Sequence, residues 1–183
     1  MVQVLTIQGI GNSGAAHWQT LWEAKYPGFT RVTQRDWDNP DCSKWADVLE
    51  VAVLKSGAET VLVAHSLACL VVARWAARMS LSIRGAMLVA VPDPMGSNFP
   101  LEAQGFLPVS KNRFSFPSIV VESSDDPYGN LEFTRACLEA WGSRVVNIGA
   151  AGHINASSGL GAWNEGLELL ETLMVSKETR AQE

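Results

Sequence analysis

The chain has 183 residues, of which 47% are hydrophobic and 18% charged, so it is long and apolar enough for one globular domain and is not a disordered chain. The formal net charge is -5 and no cluster of Lys or Arg occurs. A nucleic-acid partner and an anionic membrane surface are therefore disfavoured, because both need concentrated positive charge. Three cysteines without metal-like spacing indicate neither a disulfide framework nor a zinc site, and they favour a reducing compartment.

The beginning of the chain resembles a first strand and not a targeting segment. Its apolar run is short and no basic region precedes it. No stretch approaches the roughly 20 apolar residues of a membrane span. We expect a soluble cytoplasmic protein with one domain over residues 1–175 and a polar tail over 176–183.

Strand and helix patterns alternate from end to end. The predicted strands cover 2–8, 31–34, 60–64, 85–91, 118–123 and 144–149. The predicted helices cover 16–26, 44–55, 67–79, 131–141 and 163–175, with Ser43 as the cap of the second. The segment 92–116 has no clear periodicity and is expected to form a small lid or a pocket wall. The alternation predicts an α/β fold: a mostly parallel sheet of about six strands with helices on both faces.

The central stretch 59–75 contains the most informative turn. A Val-rich strand becomes a helix within Ala64-His65-Ser66-Leu67-Ala68, which leaves no room for a loop. Such a sharp turn would push Ser66 above the sheet edge, as in the G-x-S-x-G nucleophile elbow. Alanines replace both glycines of that motif. The alternative is that Ser66 only caps the helix, since serine is a favoured N-cap.

A serine nucleophile needs a base within hydrogen-bond reach, itself held by a carboxylate. His65 adjoins Ser66, where neighbouring side chains diverge, and His17 begins the first helix, where it could cap that helix or line a pocket. His153 follows the last strand, which is the position that the order serine, acid, histidine requires. His153 is therefore the predicted base.

The acid has three candidates, because each follows a predicted strand. Asp126 is the first choice. Asp125 comes second, since it could cap the next helix, and Asp93 third, since it sits in a proline-flanked turn.

The oxyanion hole and the pocket walls are predicted from position along the chain. The Leu67 amide follows the nucleophile directly, and a second donor should come from the loop after the first strand, at Ile10 or Gly9. Trp18 and Trp37 lie near the carboxyl ends of strands and, with Gly9 and His17, are the candidate substrate contacts. No metal site and no cofactor are expected.

Four other tryptophans and one cysteine are expected in the core. Trp22, Trp45, Trp75 and Trp141 lie on predicted helices, and aromatic side chains dominate protein cores. Cys69 is expected to be an inert buried thiol.

Several dispersed motifs occur together over 4–163: Gly9-Ile10-Gly11-Asn12-Ser13 with His17-Trp18, Gln34-Arg35-Asp36-Trp37, His65-Ser66-Leu67, Asp126-Pro127-Tyr128, and Gly152-His153-Ile154-Asn155 with Trp163. This set resembles the small α/β-hydrolase family that includes retinoblastoma-binding protein nine and the bacterial YdeN proteins. The resemblance implies a compact hydrolase with a minimal cap and a triad of Ser66, Asp126 and His153. The chain departs from the family pattern at Ala68, where glycine is common, and at Gln8, where histidine is common.

The resulting hypothesis is a serine hydrolase, specifically a carboxylesterase acting on a small acyl ester through an acyl-enzyme on Ser66. The alternative is a protein-interaction module on a hydrolase fold with little or no turnover. An acyltransferase or a peptidase on the same triad is a third possibility. The expected partner is a small-molecule substrate, with a protein partner left open.

Overall fold

The computed structural model describes residues 1–175, and the tail predicted for 176–183 lies outside the described residues. The strands are β1 (Gln3–Ile7), β2 (Phe29–Arg31), β3 (Thr60–His65), β4 (Gly85–Val89), β5 (Ser118–Glu122) and β6 (Arg144–Asn147). The helices are α1 (Trp18–Lys25), α2 (Cys42–Ser56), α3 (Leu67–Arg78), α4 (Leu131–Trp141) and α5 (Asn164–Val175), with a short 3₁₀ helix at Ala156–Ser158.

The six strands form one sheet in the order β2-β1-β3-β4-β5-β6, and every neighbouring pair is parallel. The predicted parallel sheet of six strands is thus confirmed. The order changes direction between β1 and β3, and such a switch point opens a crevice beyond the carboxyl ends of the strands. Ile7 pairs with Ala64, so the loop after β1 and the turn after β3 begin side by side.

Strand residues alternate between two cores, because successive side chains point to opposite faces of a sheet. On one face Leu62 and Leu88 pack with α2, α3 and α4. On the other face Val61 and Met87 pack with α1 and α5. Helices therefore cover both faces, as predicted. The four tryptophans expected in the core, Trp22, Trp45, Trp75 and Trp141, are all buried.

Two local predictions were wrong. The second strand is Phe29–Arg31 and not 31–34, because these three residues pair with Val4–Thr6 of β1. The Val32 amide makes one more hydrogen bond, to the Thr6 carbonyl, and the chain then leaves the sheet. The cap of α2 is Asp41 and not Ser43. The Asp41 carboxylate accepts hydrogen bonds from the backbone amides of Ser43 and Lys44, so the helix starts at Cys42.

The segment 92–116 contains no helix or strand and is held by its aromatic side chains. Phe106, Phe114 and Phe116 are buried in the core on the α2 and α3 face. Gln104 exchanges backbone hydrogen bonds with Pro40 and Cys42 at the start of α2. Within residues 1–175, no helix has the length and apolar character needed to cross a bilayer.

Candidate active site

Ser66 occupies the sharp turn between β3 and α3. Its backbone has φ 58° and ψ -128°, a conformation that non-glycine residues rarely adopt and that persists only where the surroundings enforce it. Here the Ser66 amide donates to the Val89 carbonyl, and the Ser66 carbonyl accepts from the Cys69 amide. Ala64 and Ala68 are fully buried in the core, so the chain makes this turn with alanines at both glycine positions of the motif.

A hydrogen-bonded chain joins Ser66, His153 and Asp126. Nε2 of His153 lies 2.9 Å from Oγ of Ser66, and Nδ1 of the same ring lies 2.9 Å from both carboxylate oxygens of Asp126. The Tyr128 amide donates to the Asp126 carboxylate as well, and the Tyr128 ring lies against the imidazole with centroids 4.6 Å apart. The His153 ring is thus within hydrogen-bond reach of both Ser66 and Asp126, which is the geometry that activation of a serine requires.

The other two acid candidates lie elsewhere. The Asp125 carboxylate accepts from the Ser123 hydroxyl and from the Gly152 amide, and these hydrogen bonds hold its pKa below the usual value. Asp93 accepts from the Met95 amide within its own turn. Neither is bonded to the His153 ring.

The two predicted oxyanion donors, Leu67 and Ile10, both border the cavity that Ser66 faces. Leu67 is the first residue of α3, a position whose amide has no acceptor within the helix. Ile10 lies in the loop after β1, and among the described residues its amide has no hydrogen-bond acceptor. Gly9 precedes it and lies so close that an added Cβ would come within 3.0 Å of the Ser66 Cβ. The loop after β1 therefore packs directly against the serine.

A polar network that the sequence did not reveal supports this loop. The Gln8 amide nitrogen donates to Glu23 on α1 at 2.8 Å. Glu23 forms an ion pair with Arg31, and the Arg31 guanidinium also donates to the side chain of Asn12 at 2.9 Å and to the Ser13 carbonyl. Gln8 thus connects the end of β1 to α1.

The cavity in front of Ser66 has a volume of about 310 Å³. Its lining includes the apolar or ring-bearing residues Ile10, Pro92, Pro100 and Tyr128 and the polar residues Asn12, Ser13, His17, Asn155 and Ser157. Gly9, Leu67 and His153 also border it. The two prolines belong to the segment 92–116, which therefore contributes to a pocket wall.

His17 has both of the placements predicted for it. Its Nδ1 accepts from the Gln19 amide and caps α1, and the ring borders the cavity. Burial, followed by the charges of Arg31 and His153, lowers the pKa of His17 to about 4. The ring is therefore neutral near pH 7.

Trp18 and Trp37 do not line this cavity, contrary to the prediction. Trp18 is 1% exposed and packs against Trp22 and Trp163 in the core, because the first turn of α1 directs it toward the sheet. The Trp37 ring packs edge to face on Trp45. Its backbone carbonyl contacts the loop after β1 by accepting a hydrogen bond from the Gly11 amide.

The loop that carries His153 is held by side chains that sequence reasoning missed. The Trp18 indole donates to the Ile154 carbonyl at 2.8 Å, and the Ser123 hydroxyl accepts from the Ala151 amide at 2.9 Å. Both contacts join residues far apart in the chain, so no local pattern could have indicated them.

Two remaining expectations concern thiols and metals. Cys69 is fully buried and burial raises its pKa, as expected for an inert thiol. Among residues 1–175, no cluster of three or more His, Cys, Asp or Glu side chains could hold a metal ion.

Comparison with known proteins identifies the class. The family model described as serine hydrolase matches residues 4–172, so the chain belongs to that family of enzymes. No curated protein sequence matches the chain. Among solved structures, it is similar to a protein described as a YdeN-like hydrolase from Pectobacterium atrosepticum, with 29% identity over 95% of this chain and 91% of the other and a TM-score of 0.81.

Two further structures share the fold. The ydeN gene product of B. subtilis is 21% identical over 94% of this chain and 98% of its own, with a TM-score of 0.73. A monoacylglycerol lipase from Paleococcus ferrophilus is 12% identical over 94% and 93%, with a TM-score of 0.70. The predicted α/β-hydrolase fold and the resemblance to small YdeN-like serine hydrolases are both confirmed.

Proposed function

We propose that this serine hydrolase is a carboxylesterase that cleaves small acyl esters through an acyl-enzyme on Ser66. The observation that carries the proposal is the continuous hydrogen-bonded chain from the Ser66 hydroxyl through the His153 ring to the Asp126 carboxylate. The strained backbone at Ser66 supports it, because such strain is concentrated at functional sites.

In the acylation step, Ser66 Oγ attacks the ester carbonyl while His153 Nε2 takes the hydroxyl proton. Asp126 accepts from Nδ1–H and so favours the tautomer whose Nε2 can act as the base. The amides of Leu67 and Ile10 donate to the oxyanion of the tetrahedral intermediate. When the carbon–oxygen bond of the ester breaks, His153 returns the proton to the leaving alcohol, and the acyl group remains on Ser66.

Deacylation repeats these roles with water as the nucleophile. His153 takes a proton from water as the hydroxide oxygen bonds to the acyl carbon, and it then protonates Ser66 Oγ as the carboxylic acid departs. The balance is one ester and one water consumed, with one acid and one alcohol released.

The size of the cavity supports a small substrate. About 310 Å³ is at the lower end of the range typical of ligand pockets, so short acyl chains fit better than long ones. Cys42, Cys69 and Cys137 are buried free thiols, and free thiols are typical of proteins in a reducing compartment. We therefore propose a cytoplasmic location.

The test uses p-nitrophenyl esters of increasing chain length and the matching anilides. We expect kcat/KM to be higher for acetate and butyrate than for palmitate, and activity on the esters to exceed that on the anilides. Ser66→Ala and His153→Ala, with folding verified by circular dichroism, should each lower kcat by about 10³-fold or more. Higher kcat/KM for palmitate, or full activity in either variant, would contradict the proposal.

A further inference from the structure

His65 lies between the serine and the loop that carries the base. It is the last residue of β3, and its Nε2 is 2.9 Å from the backbone carbonyl oxygen of His153. A carbonyl oxygen only accepts hydrogen bonds, so Nε2 of His65 carries the hydrogen and donates it. This contact fixes the tautomer of His65 and joins the strand that ends at the nucleophile to the backbone of the base.

The His65 ring stays neutral at this position. The residue is buried, with only 5% of its surface exposed where it borders the cavity, and burial lowers its pKa well below 6.5, with His153 and His17 as further causes. Its ring centroid is 4.8 Å from that of His17 and 5.0 Å from that of His153. A charge on His65 would oppose the imidazolium that forms on His153 during turnover, because like charges at this separation repel.

The backbone around His153 needs such support. Gly152 and Ile154, on either side of the histidine, have φ of 56° and 47°. A positive φ is unfavourable for a β-branched residue such as isoleucine and persists only where other contacts hold it. His65 donates to the His153 carbonyl and Trp18 donates to the next carbonyl, that of Ile154. Two buried ring N–H groups thus hold consecutive carbonyls of one strained loop.

We propose that His65 is a positioning residue, whose Nε2–H holds the His153 carbonyl and so fixes the imidazole between Ser66 and Asp126. The inference rests on the proposed function, since the position matters only if His153 acts as the base. It assigns a role to a histidine that neither attacks the substrate nor moves a proton.

Two substitutions of His65 distinguish the effect of losing its hydrogen bond from the effect of losing the volume of its ring. His65→Leu removes the donor and leaves the His153 carbonyl without a partner, whereas His65→Gln keeps an amide N–H that can reach it. We expect His65→Leu to lower kcat and the rate of fluorophosphonate labelling of Ser66 by about 10- to 100-fold, because misplacing a catalytic group by up to 1 Å has effects of that size. The loss should appear mainly in kcat, with KM changed by less than about threefold, since all the other residues that line the cavity remain.

His65→Gln should recover most of the lost rate. Cys69→Ala is the matched control, because Cys69 is also buried near Ser66, its substitution keeps the backbone amide that bonds to the Ser66 carbonyl, and its thiol has no bond to the His153 loop. It should label at the wild-type rate. Labelling of His65→Leu at the wild-type rate, or equal losses in folded His65→Leu and His65→Gln, would overturn the proposal.

A second measurement does not depend on activity. Long-range ¹H–¹⁵N NMR spectra of the imidazole nitrogens should show His65 as a neutral ring protonated on Nε2 throughout pH 5.5–8. A ring protonated on Nδ1, or titration within that range, would overturn the inference even if Ser66 is reactive. Conversely, a wild-type protein that the fluorophosphonate never labels would overturn the proposed function. The NMR spectra would still show whether Nε2 of His65 carries the hydrogen that it donates to the His153 carbonyl.

Discussion

Gly9 brings the loop after β1 against Ser66, so Gly9→Ala should impair turnover through one methyl group. A Cβ at this position would lie 3.0 Å from the Ser66 Cβ, 3.3 Å from the His65 carbonyl oxygen and 3.4 Å from Ser66 Oγ. Ordinary contacts begin at 3.4 Å, so Ser66 or the loop has to move by about 0.4 Å. The backbone at Gly9 is not in the positive-φ region, so the effect is steric and not conformational.

The expected loss follows from that displacement. A shift of 1 Å in a reacting group lowers the rate by roughly 100-fold, so about 0.4 Å should lower kcat roughly five- to tenfold, equivalent to about 1 kcal/mol in activation free energy. The free energy of unfolding should fall by about 1 kcal/mol as well, as for other overpacked sites.

The assay is steady-state hydrolysis of p-nitrophenyl butyrate, with urea unfolding measured in parallel. Gly28→Ala is the matched control, since its added Cβ would have Val2 O, at 3.8 Å, as its nearest neighbour, and kcat should not change. Wild-type kcat in a folded Gly9→Ala variant would refute the close packing of this loop against Ser66.

Three further predictions concern the acid, the loop of the base and the buried histidine. Asp126→Asn should lower kcat by about 10³- to 10⁴-fold without unfolding the protein, because an amide no longer stabilises the required tautomer and the imidazolium of His153. Asp125→Asn should retain far more activity. A larger loss in Asp125→Asn than in Asp126→Asn would identify Asp125 as the acid. Trp18→Phe leaves the Ile154 carbonyl without its donor and should lower the free energy of unfolding in urea by about 1–3 kcal/mol, while an unchanged value would mean that this hydrogen bond contributes nothing. His17 has a folded pKa of about 4 against 6.5 in the unfolded chain, so the unfolded state binds more protons between these values and stability is lost as pH falls through them. Between pH 7 and 5 the free energy of unfolding should therefore fall by about 2 kcal/mol more in the wild type than in His17→Asn. The asparagine keeps an N-cap but does not titrate. An equal pH dependence of the free energy of unfolding in both proteins would contradict this prediction.

The sequence was sufficient for the sheet and for the order of the candidate site residues. The Val-rich run before Ser66 and the helix after it leave room only for a sharp turn, and parallel strands bring such turns to one edge. The position of His153 beside Ser66 could be predicted because His153 follows the last strand. These inferences depend on local pattern and chain order, which one sequence contains.

Other features depend on directions that a sequence does not specify. Asp125 and Asp126 are adjacent, and only the path of the turn after β5 directs one toward His153 and the other toward the Gly152 amide. Trp18 lies near a strand end but points into the core, because its direction is set by the angle at which α1 packs on the sheet. The hydrogen bond from His65 to the His153 carbonyl spans 88 positions, so no local pattern could indicate it.

The central claim is that Ser66 is a nucleophile activated by His153. The most direct test is to treat the purified protein with a fluorophosphonate, measure its intact mass and locate the adduct by peptide mapping. We expect one adduct per chain on Ser66, no adduct in Ser66→Ala, and labelling slowed by at least about 10³-fold in folded His153→Ala. A folded wild-type protein without an adduct, or an adduct that persists in Ser66→Ala, would contradict the claim.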